Sequence, residues 1–328
     1  MIKSATEDQI LKAFIYSIDS YIARSTRRMV FNFSTQTIEE RGYYYAEGIS
    51  GFGAGILVYK DYRYFLLTAK HNITNHIYPE EWRTESPIWV PAHHQPNIQR
   101  EDSGDIVLGS FFMARRMWDI GAISSNEHPS IDASDVVLIE FADNIVMYAM
   151  RNLPSVFLDL NDQEVIMRKN GFFDRQVLVA SGFPRHKNEY LHDEESGSDH
   201  VHFQHNIDHV VGMYHNNEEG CLFMSYDPPV SHEQLNGMSG GPVYSIYEND
   251  SGIKLAGITV SGGNNILRFI PSYMFVEAID NYRDAPCTVL DPASHLTDAT
   301  TERPDKVLEL ACSLEDDTES CLERHRLL

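Results

Sequence analysis

The chain has 328 residues, of which 42% are apolar, 11% aromatic and 23% charged, a composition typical of a globular protein. That length is enough for two folding units, or for one large domain in two parts. Its 26 basic and 48 acidic residues give a formal charge of −22. This balance argues against nucleic-acid and membrane partners, because polyanions and anionic lipid surfaces attract basic proteins.

The cysteines and the N-terminal residues indicate a cytoplasmic protein. The four cysteines, at positions 221, 287, 312 and 321, are scattered, which fits neither a disulfide framework nor a paired metal site. Residues 1–9 include acids where a signal peptide would need a basic patch and an apolar run. No stretch approaches the 18 uninterrupted apolar residues of a membrane span. We therefore expect a protein of a reducing, intracellular compartment.

Residues 6 to about 27 carry the pattern of an amphipathic helix. Apolar residues recur there at helical spacing from Ile10 to Ile22, and Thr6 with Gln9 is spaced as a capping box. We expect this helix to pack on the main body of the protein. Residues 1–46 are assigned to an N-terminal helical extension.

From about residue 43 the pattern changes to short β-rich runs separated by turn signals. Many short strands with few long helical patterns between them predict a mainly β chain, folded as an antiparallel sandwich or barrel. The clearest runs are 53–60, 64–69, 135–141, 176–181, 242–247 and 253–260.

The chain ends with a short helix and an acidic segment. A helix is predicted from Ser272 to about residue 282, before Pro286. Residues 290–328 carry ten acidic and four basic residues and few bulky apolar ones, which predicts a flexible tail. The body of the protein is therefore predicted to span 47–289.

The stretch 186–215 contains seven histidines. His200 and His202 would share one face of a strand, whereas His205 and His209 would share one face of a helix. Either pair could hold a divalent ion, but no cysteine or second acid falls at ligand spacing. We interpret the stretch as a solvated, pH-sensitive loop, and we assign no metal ligand.

The most informative string is Leu235-Asn-Gly-Met-Ser-Gly-Gly-Pro-Val243. A serine between glycines, directly before a β-rich run, indicates a tight turn that exposes a hydroxyl group. Gly237 allows the backbone N–H groups of Gly237 and Ser239 to point to one spot, as an oxyanion hole requires. Ser239 is therefore a candidate nucleophile.

A serine hydroxyl needs a base to accept its proton, and the base needs an acid to orient it. Leu67-Thr-Ala-Lys-His71 supplies a histidine at the end of an apolar strand, and Asp135 precedes the apolar run 136–141. Asp119, which also precedes a β-like run, is a rival for the acid, and Asp132 is a weaker one. We favour Asp135 because the apolar strand behind it is continuous.

These motifs, in the order His, Asp, Ser, resemble those of the chymotrypsin-like (trypsin-like) serine peptidases. The resemblance covers residues 47–285 and implies two perpendicular antiparallel β-barrels with a catalytic triad at their interface, so that 47–289 would be the peptidase domain. It implies that His71 is general base and acid, that Asp135 orients it and that Ser239 is the nucleophile.

Two departures from the family pattern favour its bacterial and intracellular forms over its secreted zymogens. Met238 occupies the position of the acid that, in secreted members, binds a newly cleaved N-terminus. No cysteine lies near His71 to form the disulfide that is common there. Activation by zymogen cleavage is therefore not expected, and gating by residues 1–45, oligomerisation or a partner is a possible replacement.

The resemblance also implies positions for the substrate. Glu233 stands six residues before Ser239, where trypsin-like members carry the acid that attracts a basic side chain, although a solvated loop glutamate is an equal interpretation. Ser261, Gly262 and Gly263 belong to a segment similar to the strand that lines the specificity pocket. They could bind an extended substrate by strand addition, or form a plain turn.

The sequence therefore predicts a serine endopeptidase that acts on a polypeptide substrate through an acyl-enzyme intermediate and needs no cofactor. The alternative is a catalytically silent or latent scaffold or sensor that binds a regulatory protein partner. An esterase or other acyl transferase with the same residues is a third hypothesis.

Overall fold

The structure is a computed structural model of the chain. It describes residues 7–18, 20–32, 37–40, 43–46, 49–74, 88–91, 111–124, 131–141, 157–188, 190–192, 201–203, 206–216, 222–226, 231–246, 253–263 and 265–290. The predicted flexible tail lies outside these residues, apart from Leu290. No helix among them is long and apolar enough to cross a membrane.

Strands dominate the described residues. In chain order, the elements are α1 (Glu7–Ile18), α2 (Tyr21–Ser25), β1 (Thr26–Asn32), β2 (Thr37–Glu40), β3 (Tyr43–Ala46), β4 (Ile49–Lys60), β5 (Arg63–Ala69), α3 (His71–Thr74), β6 (Ile88–Pro91), β7 (Phe111–Trp118), β8 (Val136–Phe141), β9 (Leu158–Asp159), β10 (Val177–Gly182), β11 (Tyr190–His192), β12 (Val201–Phe203), β13 (Asp208–Asn216), β14 (Leu222–Tyr226), α4 (His232–Leu235), β15 (Pro242–Ile246), β16 (Ile253–Gly263), β17 (Ile266–Pro271), α5 (Ser272–Asp280) and β18 (Cys287–Val289).

Six strands of the N-terminal half form a closed ring. The order is β1-β6-β7-β8-β5-β4, and β1 also pairs with β4, which closes the ring. Its pairings are antiparallel. β9 adds in parallel to β4, and β18 pairs with β7 beyond the end of β6.

The C-terminal half forms a second closed barrel, in the order β10-β13-β14-β17-β16-β15. β10 pairs with β15 and closes it, and its pairings are also antiparallel. The predicted mainly β fold with two antiparallel barrels is confirmed. The six β-rich runs read from the sequence correspond to β4, β5, β8, β10, β15 and β16.

Strands at the interface of the two barrels are apolar on both faces. One face packs inside its own barrel, and the other packs in the apolar cluster between the barrels. Successive side chains of a strand point to opposite faces. In β5, Leu66 points into the first barrel, whereas Phe65 and Leu67 join the cluster that lies between the barrels. In β10, Leu178 and Ala180 belong to the interior of the second barrel. This double burial explains why the sequence shows continuous apolar runs instead of alternation.

The N-terminal segment differs from the helical extension predicted for residues 1–46. The structure describes two helices there, α1 and α2, and residues 26–32 form β1, a strand of the first barrel. The first barrel therefore begins before the predicted boundary. The backbone of β1 pairs with both β4 and β6, so tertiary pairing overrides the helical pattern there.

α1 packs on the second barrel, but with a face that the sequence pattern did not indicate. Its small residues Ala13 and Ser17 are buried against that barrel. The larger apolar residues Leu11, Phe14, Ile15 and Ile18 are 41–57% exposed. Close approach of the helix to β10 and β13 requires small side chains, which accounts for the choice of face.

We predict that β1 is indispensable for folding, whereas α1 is not. A chain that starts at residue 33 lacks β1, which leaves β4 and β6 with unpaired edges and removes the buried Met29 and Val30. It should show no cooperative thermal unfolding by circular dichroism. A control chain that starts at residue 20 should unfold cooperatively at a lower temperature than the full chain. A cooperative transition near the full-length midpoint in the shorter chain would contradict this prediction.

Candidate active site

The turn that carries Ser239 is shaped by a short helix and two glycines. α4 begins with a capping box, in which Ser231 and Gln234 each satisfy the other's backbone N–H. After α4, Gly237 has φ +100° and Gly240 has φ +82°, values that L-residues with a side chain rarely adopt. The turn then enters β15 at Pro242.

This turn of the second barrel is hydrogen-bonded to the first barrel through the carbonyl group of Ser239. The Ser239 carbonyl oxygen accepts hydrogen bonds from Ala54 N (2.7 Å) and from Asn72 Nδ2 (2.8 Å). A Cβ atom on Gly240 would lie 2.1 Å from the Ala54 carbonyl oxygen, so only glycine permits this approach. The contact fixes Ser239 relative to α3, the helix that begins at His71.

The side chains of Ser239, His71 and Asp135 form one hydrogen-bonded row. Ser239 Oγ lies 2.5 Å from His71 Nε2, and His71 Nδ1 lies 2.6 Å from Asp135 Oδ2. The second carboxylate oxygen, Asp135 Oδ1, accepts from the backbone N–H of His71 at 2.8 Å. Asp135 is therefore held at both oxygens.

An ionised carboxylate can only accept hydrogen bonds. Beside an ionised Asp135, a neutral His71 imidazole therefore carries its proton on Nδ1, and its Nε2 is free to accept one. Ser239 Oγ is also 3.1 Å from the Val260 carbonyl oxygen. The imidazole is the nearer acceptor by 0.6 Å. The geometry therefore suits transfer of the hydroxyl proton to His71.

The two rival acids lie elsewhere. Asp119 Oδ2 is 2.5 Å from Lys70 Nζ, in an ion pair beside the row. Asp132 accepts from the backbone N–H of Ser134 at 3.0 Å and shapes the turn that leads to Asp135. Of the three candidate acids, the structure brings Asp135 to His71.

The two N–H groups predicted to form an oxyanion hole are oriented by the carbonyls that precede them. The Asn236 carbonyl accepts from Arg185 N (2.7 Å), and the Met238 carbonyl accepts from Gly241 N (3.0 Å). In a trans peptide the C=O and the following N–H point in opposite directions. The N–H groups of Gly237 and Ser239 are thus turned away from these partners, and neither donates a hydrogen bond within the described part of the chain.

Met238 is buried at 1% exposure in the interior of the second barrel. A Cβ atom on Gly182 would lie 2.8 Å from Met238 Cα, so β10 passes directly beneath the turn. Position 238, at which the resemblance described above led us to expect no activating acid, is therefore filled by apolar packing.

The predicted substrate strand lies at the end of β16. Ser261, Gly262 and Gly263 pair with β17 on one side, whereas the pairing of β15 with β16 runs no further than Ile258. Among the described residues, the other edge of 260–263 is therefore open to an extended chain. Two carbonyl groups of this segment have partners: that of Val260 lies 3.1 Å from Ser239 Oγ, and that of Gly262 accepts a hydrogen bond from His232 Nδ1 at 2.6 Å.

Glu233 lies in α4, which packs against β16. The structure describes its backbone but not its side chain, so the prediction that its carboxylate selects a basic side chain stays a prediction.

The histidine-rich stretch is folded differently from the loop that we expected. His209 lies on β13, so the helical alternative does not hold there, and residues 201–203 form β12. His209 Nδ1 is 2.7 Å from Ser181 Oγ, which in turn lies 3.0 Å from the Tyr244 hydroxyl. Burial lowers the pKa of His209, against an opposing effect of Asp208 and with a smaller lowering by Lys187. The side chain of His202 and all of His200 and His205 lie outside the described residues.

Sequence reasoning missed three groups that shape the site. Asn72 directly follows His71, but nothing in the sequence indicates that its side-chain amide bonds to the Ser239 carbonyl. Ala54 and Arg185 act through backbone N–H groups, which leave no trace in the residue type. Long-range backbone contacts of this kind are accessible only from coordinates.

Comparisons with known proteins give structural neighbours but no sequence relatives. No family model matches the chain, and no curated protein does. Among solved structures, 274 chains match. The HtrA-type protease AlgW, solved with a decapeptide, is 12% identical with a TM-score of 0.39, and the match covers 85% of this chain and 67% of that chain. A thermostable serine protease, AL20, from an extremophilic microorganism is 10% identical with a TM-score of 0.40, covering 80% and 96%.

We predict that Asn72 contributes to stability through its hydrogen bond to the Ser239 carbonyl. Asn72→Ala removes one of the two donors to Ser239 O and should lower the free energy of unfolding by about 1–2 kcal/mol, measured by urea denaturation. Asn161→Ala is the matched control, because the Asn161 amide bonds to Asp159 on the exposed surface. Equal losses for the two variants would contradict the assignment.

We predict that His209 makes the fold sensitive to acid. Its pKa in the folded state lies below the ordinary value of 6.5, so below that pH the unfolded chain binds more protons and stability falls as the pH decreases. His209→Asn, which can retain a bond to Ser181, removes this effect. The free energy of unfolding of the wild type relative to the variant should therefore decrease between pH 7.5 and pH 5.5. Parallel stability curves for the two proteins would show the prediction to be wrong.

Proposed function

We propose that this protein is a serine endopeptidase that hydrolyses peptide bonds through an acyl-enzyme intermediate. The observation that carries the proposal is the continuous row Ser239 Oγ–His71 Nε2 (2.5 Å) and His71 Nδ1–Asp135 Oδ2 (2.6 Å). Such a row activates a hydroxyl group that is otherwise a weak nucleophile.

In the proposed reaction, Ser239 Oγ attacks the carbonyl carbon of the scissile bond while His71 Nε2 takes the hydroxyl proton. Asp135 stabilises the imidazolium that results. The negative charge that develops on the substrate oxygen is stabilised by the N–H groups of Gly237 and Ser239. His71 then donates its proton to the leaving amine, and the same steps with water as the nucleophile release the acyl group from Ser239.

The proposed substrate is a polypeptide in extended conformation beside residues 260–263 of β16. An unpaired strand edge offers backbone N–H and C=O groups to any extended chain, independently of its sequence. An open edge of this kind, next to Ser239, favours a peptide over a small ester as substrate. We include Glu233 as a candidate for the recognition of a basic side chain.

A cytoplasmic location belongs to the same proposal. It is supported by the scattered positions of the four cysteines, which do not suggest a disulfide framework. Gating by a regulatory protein partner is compatible with this function. Gating by removal of residues 1–45, in contrast, is not proposed, because β1 lies in that segment.

The activity prediction concerns the three residues of the row. Ser239→Ala should lower kcat by about 10⁶-fold, and Asp135→Asn by about 10⁴-fold because it favours the wrong imidazole tautomer. A fluorophosphonate probe should label the wild type but neither Ser239→Ala nor His71→Ala. Mass spectrometry of peptides released from a denatured proteome, with Ser239→Ala as the control, would give the cleavage preference.

Outcomes of these measurements separate the candidate functions. A folded wild type that neither reacts with the probe nor releases peptides would overturn the proposal in favour of the silent scaffold. Labelling together with turnover of esters but not of any peptide would favour the esterase.

A further inference from the structure

The oxyanion turn is supported from behind by one segment of the second barrel. Arg185 N donates to the Asn236 carbonyl at 2.7 Å, which sets the orientation of the peptide that carries the Gly237 N–H. A Cβ atom on Gly237 would lie 2.4 Å from the Phe183 carbonyl oxygen. The segment 183–188 is therefore in direct contact with the turn, and its position determines where the Gly237 N–H points.

The shape of this segment depends on one buried side chain, that of Asn188. Its Nδ2 donates to the carbonyl groups of Pro184 and Asn206, both at 2.8 Å, and its Oδ1 accepts from Asn206 N at 2.6 Å. The Asn188 backbone N–H donates to the Arg185 carbonyl at 3.0 Å. Asn188 is 1% exposed, so water cannot replace these bonds.

Asn188 is connected in turn to the first barrel. Arg28, on β1, donates from Nη2 to the Asn188 carbonyl at 3.0 Å. Arg28 is 3% exposed, and a hydrogen bond from a buried guanidinium is stronger than one between neutral groups. A continuous path of contacts thus runs from Arg28 through Asn188 and Arg185 to the Asn236–Gly237 peptide.

We propose that Arg28 and Asn188 are positioning residues that hold the oxyanion turn in its productive orientation, an inference that rests on the proposed peptidase function. The turn has a buried methionine at position 238, so no charged side chain within the turn holds it in place. The contacts from Arg28 on β1 through Asn188 and Arg185 hold the turn in place instead. Stabilisation of the transition state therefore depends on how the first barrel docks on the second.

The test compares Arg28→Gln and Asn188→Ala with a neighbouring control. Both variants should lower kcat for a peptide substrate by about 10- to 100-fold with little change in KM, since loss of a whole oxyanion donor costs about 10²–10³-fold. Fluorophosphonate labelling should slow in parallel. Arg28→Lys, which retains a cationic donor, should recover part of the rate.

Arg27→Gln is the matched control. Arg27 is fully buried on the same strand, but it donates to the Pro91 carbonyl within the first barrel and not to Asn188. This variant should lower the melting temperature while leaving kcat per folded molecule unchanged. Hydrogen–deuterium exchange should be faster for a peptide that spans 231–241 in Arg28→Gln but not in Arg27→Gln.

The possible results are distinguishable. If Arg28→Gln and Asn188→Ala fold and retain the wild-type kcat and exchange rates, the positioning role is wrong while the peptidase function stands. If both fail to fold, Asn188→Asp decides, because it keeps the Oδ1 acceptor for Asn206 N but loses both Nδ2 donor bonds, so that wild-type kcat and exchange in 231–241 would overturn the proposal. If the folded wild type itself neither labels nor cleaves, the proposed function fails, and this inference fails with it.

Discussion

The candidate site depends on one contact between the two barrels, the capture of the Ser239 carbonyl by the first barrel. Ala54 N and Asn72 Nδ2 both donate to this oxygen, and the neighbouring Gly240 leaves no room for a side chain. Because Asn72 follows His71 on α3, the same element holds the backbone of the serine and presents the imidazole to its hydroxyl. The distance between Ser239 Oγ and the His71 imidazole is thereby set largely by backbone geometry.

A second consequence concerns the turn itself. Its Asn236 carbonyl accepts from Arg185 N and its Met238 carbonyl accepts from Gly241 N within the turn. The side chain of Met238 is apolar and lies in the barrel interior. Neither interaction depends on a charged N-terminus that proteolytic cleavage would have to generate. The arrangement is therefore compatible with a turn that needs no proteolytic step to form.

The fold and most of the site were accessible from the sequence, for identifiable reasons. Apolar strands of the barrels produce runs that are unmistakable, and the glycines around Ser239 report a backbone that other residues cannot adopt. The choice of Asp135 over Asp119 followed from the continuous strand behind it, and the structure brings Asp135 to His71. The roles of these residues in catalysis, in contrast, remain part of the proposal.

The errors have physical causes as well. Residues 26–32 directly follow α2, and their strand conformation comes from pairing with β4 and β6, which local sequence patterns do not reveal. The exposed apolar residues of α1 show that helical periodicity identifies an apolar face but not which face a barrel wall can accommodate. His209 lies on a strand because β13 has partners on both sides.

Each end of the described chain packs on the barrel formed by the other half of the chain. α1, which precedes the first barrel, packs on the second, while β18, which follows the second barrel, pairs with β7 of the first. Buried Lys60 of the first barrel likewise bonds to Asp280 of α5 at 2.6 Å. During synthesis on the ribosome, the N-terminal barrel therefore emerges first but receives its last strand and this ionic partner from residues translated after the second barrel. Its folding is completed only after the second barrel and β18 have emerged.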